Sequence, residues 1–129
     1  MALDGGRMCL ILFSLDNHPG FRLILGANRD EFYNRPTQPL SAWPEAPEVY
    51  GGRDLKEGGT WLGVSRRGRL AALTNYRDPA HHIAQAPSRG QLTRRFLTGD
   101  ASAAEYLAQV LKTAQRYNGF NLLVGDRTG

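Results

Sequence analysis

At 129 residues the chain offers at most one domain, or part of a larger one. Hydrophobic residues make up 41% and charged residues 22%, the balance of an ordinary globular core under a polar surface. The formal charge of +4 and pI near 9.6 permit an anionic partner, yet no basic run is interleaved with aromatics, which argues against a nucleic-acid partner. The basic clusters Arg66-Arg67-Gly68-Arg69 and Arg94-Arg95 read as solvated turn and helix positions.

Cys9 is the single cysteine, which excludes an internal disulfide and suits a reducing compartment. The cytoplasm is the expected location. Leu10–Leu15 falls far short of the roughly 20 apolar residues a membrane span needs. The head, Met1–Arg7, is weakly charged and no small-residue cleavage site follows it, so it reads as an extension rather than a signal peptide. Met8 is an alternative initiator.

Cys9–Leu15 is an apolar run of strand length, and Asp16-Asn17-His18-Pro19-Gly20 is a dense turn cluster. Phe21–Ala27 reads as the returning strand, giving a hairpin with a loop of about five residues. Antiparallel pairing then sets Cys9 beside the end of the second strand, Asn28-Arg29-Asp30-Glu31. Four prolines between Pro36 and Pro47 predict a long ordered loop or lid around Trp43, neither helix nor central strand. Gly51-Gly52-Arg53-Asp54 and Glu57-Gly58-Gly59-Thr60 read as glycine-rich turns, without the spacing of a phosphate-binding loop.

Thr60–Ser65 and Leu70–Asn75 form a second predicted hairpin, ending in Asn75-Tyr76-Arg77-Asp78-Pro79. A short helix is expected over Ser88–Leu97. A longer one, Ser102–Arg116, is opened by the capping box Ser102-Ala-Ala-Glu105, with Leu107, Val110, Leu111 and Ala114 on its apolar face. Phe120–Gly125 is a last strand, and Asp126-Arg127-Thr128-Gly129 a turn. A chain ending in such a turn, with no returning strand, predicts a continuation. The element order points to an α+β fold or layered sandwich, with the two hairpins joined in one antiparallel sheet and the helices on one face.

An amide, a guanidinium and two carboxylates at one strand end either satisfy one another structurally or line a site, because an unpaired buried charge costs several kcal/mol, roughly. A single cysteine is usually inert core. If translation starts at Met8 and the initiator is removed, however, Cys9 becomes the N-terminal residue. Its α-amine, with a pKa of about 7.7–8, then serves as general base to its own thiol. Arg29 would favour the thiolate, Asp30 would orient the ammonium, and Asn75 would donate to an oxyanion, or else be a turn-forming residue. His18, His81 and His82 lie in polar turns and loops without metal-ligand spacing, so neither metal nor other cofactor is expected. Trp43 and Trp61 read as core or lid aromatics.

Met-Cys-Leu-Ile-Leu-Phe at 8–13, Ala-Asn-Arg-Asp-Glu-Phe-Tyr-Asn-Arg-Pro at 27–36, Gly-Gly-Arg-Asp-Leu at 51–55, Gly-Gly-Thr-Trp-Leu-Gly-Val at 58–64, Leu-Thr-Asn-Tyr-Arg at 73–77 and Tyr-Asn-Gly-Phe-Asn-Leu-Leu-Val-Gly-Asp at 117–126 occur in this order. Together they resemble the NRDE family, which includes the transport-and-Golgi-organisation protein 2 homologues. The resemblance covers Met8 to the last residue and implies an extension over residues 1–7 and the N-terminal portion of an NRDE domain over 8–129.

That family in turn resembles N-terminal nucleophile hydrolases of the penicillin V acylase and bile salt hydrolase type. The resemblance implies the first half of an αββα sandwich, with Cys9 as nucleophile, Arg29 and Asp30 as the partner pair, and Asn75 at the oxyanion hole. The order Asn-Arg-Asp is permuted relative to those enzymes, and their second-half Asn and Arg lie outside this sequence. The implied activity is hydrolysis of a linear, non-peptide amide in a small molecule. The alternative is a non-catalytic carrier of a lipid or haem-like ligand in the same cleft. A third reading leaves Asn28–Glu31 as a purely structural clasp between hairpins.

Overall fold

The computed structural model describes residues 9–129; the readings made for Met1–Arg7 and Met8 lie outside the described residues. The first two strands, β1 (Leu10–His18) and β2 (Phe21–Asn28), pair antiparallel with Leu10 opposite Asn28 and Leu15 opposite Leu23. The first strand thus continues past Leu15 through the polar residues Asp16–His18. The expected five-residue loop narrows to Pro19-Gly20, and the irregularity moves into the strand, where the register shifts between Leu15 and His18 and Asp16 adopts φ 54°.

Five further strands form a second antiparallel sheet in the order β3-β4-β5-β6-β7: β3 (Thr37–Trp43), β4 (Ala46–Asp54), β5 (Leu62–Ser65), β6 (Arg69–Asn75) and β7 (Phe120–Gly125). The proline-rich segment is therefore strand, not lid. Its prolines occupy the places a sheet tolerates. Pro39 lies on an edge strand where the register shifts between Gln38 and Ser41, Pro44 is in the turn, and Pro47 precedes the part of β4 that pairs with β5. Gly51-Gly52 is likewise inside β4 rather than in a turn. A Cβ on Gly52 would meet the Trp61 ring at 2.7 Å, so glycine is the residue that lets that indole lie on the strand.

The two expected hairpins also fall in separate sheets. In the larger sheet the β5–β6 hairpin is flanked by β4 on one side and β7 on the other, so neither of its edges pairs with β1 or β2.

Helix α1 (Gly90–Thr98) lies across β4, β5 and β6 on one face of the five-stranded sheet, followed by α2 (Ala103–Leu111). The capping box forms as the sequence announces: Glu105 N–H donates to the Ser102 hydroxyl, and Ser102 N–H to the Glu105 carboxylate. The helix ends at Leu111, with a 3-10 turn at Ala114–Arg116. Its buried face is Ala103, Tyr106 and Val110, whereas Leu107 and Leu111 of the expected stripe are exposed.

The core between helices and sheet contains Trp43, Val49, Ala71, Leu73, Leu92, Phe96, Leu97, Tyr106, Val110 and Val124. Arg69 is also buried, contrary to its reading as a solvated turn residue. It lies over the Phe96 ring and donates to the carbonyls of Phe96 and Ala101, both at 2.7 Å. An α+β sandwich results, with antiparallel sheets and the two helices on one face of the larger sheet. Among the described residues no helix is long and apolar enough to cross a membrane.

Candidate functional site

The hairpin register brings Cys9 to the end of β2, as antiparallel pairing requires. The Leu10 N–H donates to the Asn28 side-chain oxygen at 2.7 Å, fixing the start of β1 to the end of β2. One residue earlier, the Cys9 sulfur accepts from the Asp30 backbone N–H at 3.3 Å. Cys9, Arg29, Asp30 and Asn75 all line one cleft of about 220 Å³, where the end of β6 meets the approach to α1. The other walls are built by Glu31, Arg35, Asp54, Trp61, Arg89 and Asn118, among others.

Within this convergence each group has its own partners. The Arg29 guanidinium stacks on the Trp61 ring, 4.1 Å from its centroid, and pairs with Glu31 at 3.9 Å; among the described residues it makes no hydrogen bond to the sulfur. The Asp30 carboxylate makes no hydrogen bond or ion pair among the described residues, so its contribution to the cysteine contact is its backbone N–H. Asn75, the last residue of β6, has its side-chain amide uncommitted among the described residues.

The firmest fixture of the cleft is a pair to which the sequence assigned no role. Arg35 grips Asp54 in a two-point salt bridge, Nη2 to Oδ2 at 2.5 Å and Nε to Oδ1 at 3.1 Å. Lys56 N–H adds a bond to Asp54 at 3.1 Å, and Leu55 N–H bonds the Pro36 carbonyl at 3.0 Å. The loop leaving Asn28 is thereby tied to the end of β4. Burial pushes the Asp54 carboxyl up, but the Arg35 hydrogen bond, the Lys56 N–H and the charges of Arg35 and Arg29 outweigh it and hold it below the usual range. Arg35 and Asp54 both stand inside recognised motif strings, yet their partnership spans 19 residues and no local spacing announces it. Arg89 had even less signal, since it reads as one more polar residue at a helix start.

Trp61 also forms part of the wall of a second, apolar cavity of about 540 Å³ on the opposite face of the sheet. That cavity lies between β2 (Leu23, Leu25) and sheet residues including Leu40, Tyr50, Val64 and Leu70. Trp43, by contrast, is wholly core, its indole N–H donating to the Gly51 carbonyl at 3.1 Å. No cluster of three or more His, Cys, Asp or Glu suited to a metal ion occurs among the described residues.

Residues 8–129 match the family described as Transport and Golgi organisation 2. The chain is 48% identical over 126 residues to the Transport and Golgi organization protein 2 homologs of Bos taurus and of Homo sapiens, covering 92% of this chain and 45% of each relative. It is 36% identical over 131 residues to the Transport and Golgi organization protein 2 of Drosophila melanogaster, covering 90% of this chain and 45% of that protein. The chain thus spans about half the length of the curated relatives it matches. Its motifs, their order and this identity agree, and the chain belongs to the Transport and Golgi organisation 2 family, the family of the NRDE motif.

Proposed function

We propose that the cleft is the nucleophile half of a cysteine N-terminal nucleophile hydrolase, acting on a linear amide in a small molecule. The observation that carries this reading is the Cys9 sulfur, seated on the Asp30 N–H at 3.3 Å in a cleft that Arg29 and Asn75 also line. With Cys9 as the N-terminal residue, its α-amine takes the thiol proton while the sulfur attacks the amide carbon. The oxyanion that forms is met by the Asn75 amide. The C–N bond then breaks, the amine leaves with the proton held by the α-ammonium, and a thioester remains. A water, deprotonated by the same amine, cleaves the thioester and restores the thiol. A lone thiol doing this work is suited to the cytoplasm.

The test is the full chain beginning at Cys9, compared with a version retaining Met1–Met8. Only the former is expected to alkylate with iodoacetamide faster than free cysteine at neutral pH, and to hydrolyse small amides. Cys9→Ser is expected to abolish hydrolysis or slow it severely, because its alkoxide is far harder to generate. Alkylation no faster than free cysteine would refute the reading.

The apolar cavity of about 540 Å³ favours a second reading, a carrier of a lipid or haem-like ligand. A carrier has no use for the free amine, so its binding of a fatty acid or haem is expected to be unchanged by Cys9→Ala and by the N-terminal extension.

A further inference from the structure

Among the described residues three guanidinium groups line the polar cleft, and two of them are paired with carboxylates: Arg29 with Glu31 and Arg35 with Asp54. The third, Arg89, makes no ion pair among the described residues. It is half-buried at the end of the loop that enters α1, and its Nη1 donates to the Gly119 carbonyl at 2.7 Å. That bond fixes one edge of the guanidinium and leaves the Nε–Nη2 edge with no acceptor among the described residues. This is the edge that receives a carboxylate through two parallel N–H···O bonds.

Burial disfavours the charge on Arg89, and the Arg35 charge opposes it, while Glu31 and Cys9 support it from across the cleft. A partly desolvated cation with an open donor edge is a costly feature for a purely structural residue, because one carbonyl contact satisfies a fraction of its five donors. Two lining carboxylates, Asp30 and Glu57, are unpaired among the described residues, and neither lies within ion-pair distance of Arg89. In the hydrolase reading Asp30 serves the α-ammonium, and Glu57 is exposed at the rim.

We infer that Arg89 is the substrate-carboxylate-binding residue of this cleft, selecting amides that carry a carboxylate a short chain away from the scissile bond. The assignment rests on the hydrolase reading for the word substrate, but the binding preference itself is measurable without turnover. The cleft volume of about 220 Å³ suits such a compact anionic group.

The probes are succinamate and succinamide, which differ in one terminal carboxylate against carboxamide. Each is titrated as a protector of Cys9 against iodoacetamide in the full chain beginning at Cys9. Succinamate is expected to half-protect at a concentration at least about tenfold lower than succinamide. Arg89→Gln is expected to erase that difference, and Arg89→Lys, which keeps the charge without the planar fork, to retain part of it. Equal protection in the unsubstituted protein, including none by either, overturns the inference, as does a preference that persists in Arg89→Gln. If Arg89→Gln does not fold, the unsubstituted pair and Arg89→Lys decide alone. Turnover of succinamate is scored separately. Preference without turnover counts against the hydrolase reading and for Arg89, and turnover without preference does the reverse.

Discussion

The Cys9 sulfur rests on the backbone N–H of Asp30 at 3.3 Å, so the contact belongs to the chain path and not to the aspartate side chain. Among the described residues the carboxylate has no partner in that cleft, and in the hydrolase reading it is the group that would meet the α-ammonium of an N-terminal Cys9. Asp30→Asn separates the two roles, since it keeps the N–H and removes the charge. The substitution is expected to leave the melting temperature nearly unchanged and to lower kcat for amide hydrolysis roughly 10- to 100-fold through lost positioning. Because a carboxylate raises the pKa of a neighbouring ammonium, the acid limb of the pH–rate profile is expected to move down by about one pH unit. An unchanged acid limb would show that Asp30 acts through its backbone alone.

Arg35 and Asp54 predict an acid-labile loop. The Asp54 carboxyl is held below its ordinary range in the folded protein. Its stabilisation is therefore complete above the unfolded carboxylate pKa and is lost as pH falls through the lower, folded value. Asp54→Asn leaves Arg35 without its two-point acceptor and is expected to cost about 2 kcal/mol at pH 7. That difference should shrink below about pH 4. Denaturant unfolding of both proteins across pH 3–7 measures it, and a constant difference would dismiss the pairing as the cause.

Local periodicity carried the strands β2, β6 and β7 and the capping box into the structure nearly unaltered, and β1 with its far end three residues beyond the expected Leu15. These depend on neighbours in sequence: Leu10 meets Asn28 because a hairpin folds back on itself. The failures share the opposite character. Pro39 and Pro47 argue against a central strand by their missing N–H, and only tertiary placement makes them harmless: Pro39 sits on the edge strand β3, and Pro47 lies before the part of β4 that pairs with β5. Arg69 looked solvated because a run of arginines normally is, and its burial depends on Phe96 and Ala101, 27 and 32 residues away. The convergence of Cys9 and Asp30 followed from one hairpin. The Arg35–Asp54 clasp and Arg89 follow from packing between elements, which a single sequence does not encode at any fixed spacing.

Arg69 supplies the donors that the end of α1 lacks. The last carbonyls of a helix have no intrahelical partner, and here Phe96 is met by the Arg69 Nε while Ala101, just past the helix, is met by Nη2. Arg69→Met preserves much of the side-chain volume over Phe96 but leaves those carbonyls unsatisfied. It is expected to cost about 2–3 kcal/mol in urea unfolding. Arg69→Lys, with a point charge in place of the fork, is expected to recover less than half of that. A cost below about 0.5 kcal/mol for Arg69→Met would return Arg69 to the surface.

Stability is unevenly distributed between the two sheets. The five-stranded sheet is covered by α1 and α2, and Phe96 and Val49 are fully buried. Among the described residues the hairpin sheet has two strands, and such a pair is marginal by itself. Its residues Leu12 and Phe13 are 66% and 56% exposed although they point to opposite faces, and the apolar cavity separates β2 from much of the larger sheet. Backbone amides of β1 and β2 in the 129-residue chain are therefore expected to exchange with deuterium at least about tenfold faster than those of β4 to β6. The same contrast applies to substitutions. Phe96→Ala is expected to cost about 3–5 kcal/mol, whereas Leu12→Thr should stay within about 0.5 kcal/mol. Hairpin amides protected as strongly as those of β5 would mean that the two sheets open together, and that the cysteine cleft is as rigid as the core beside it.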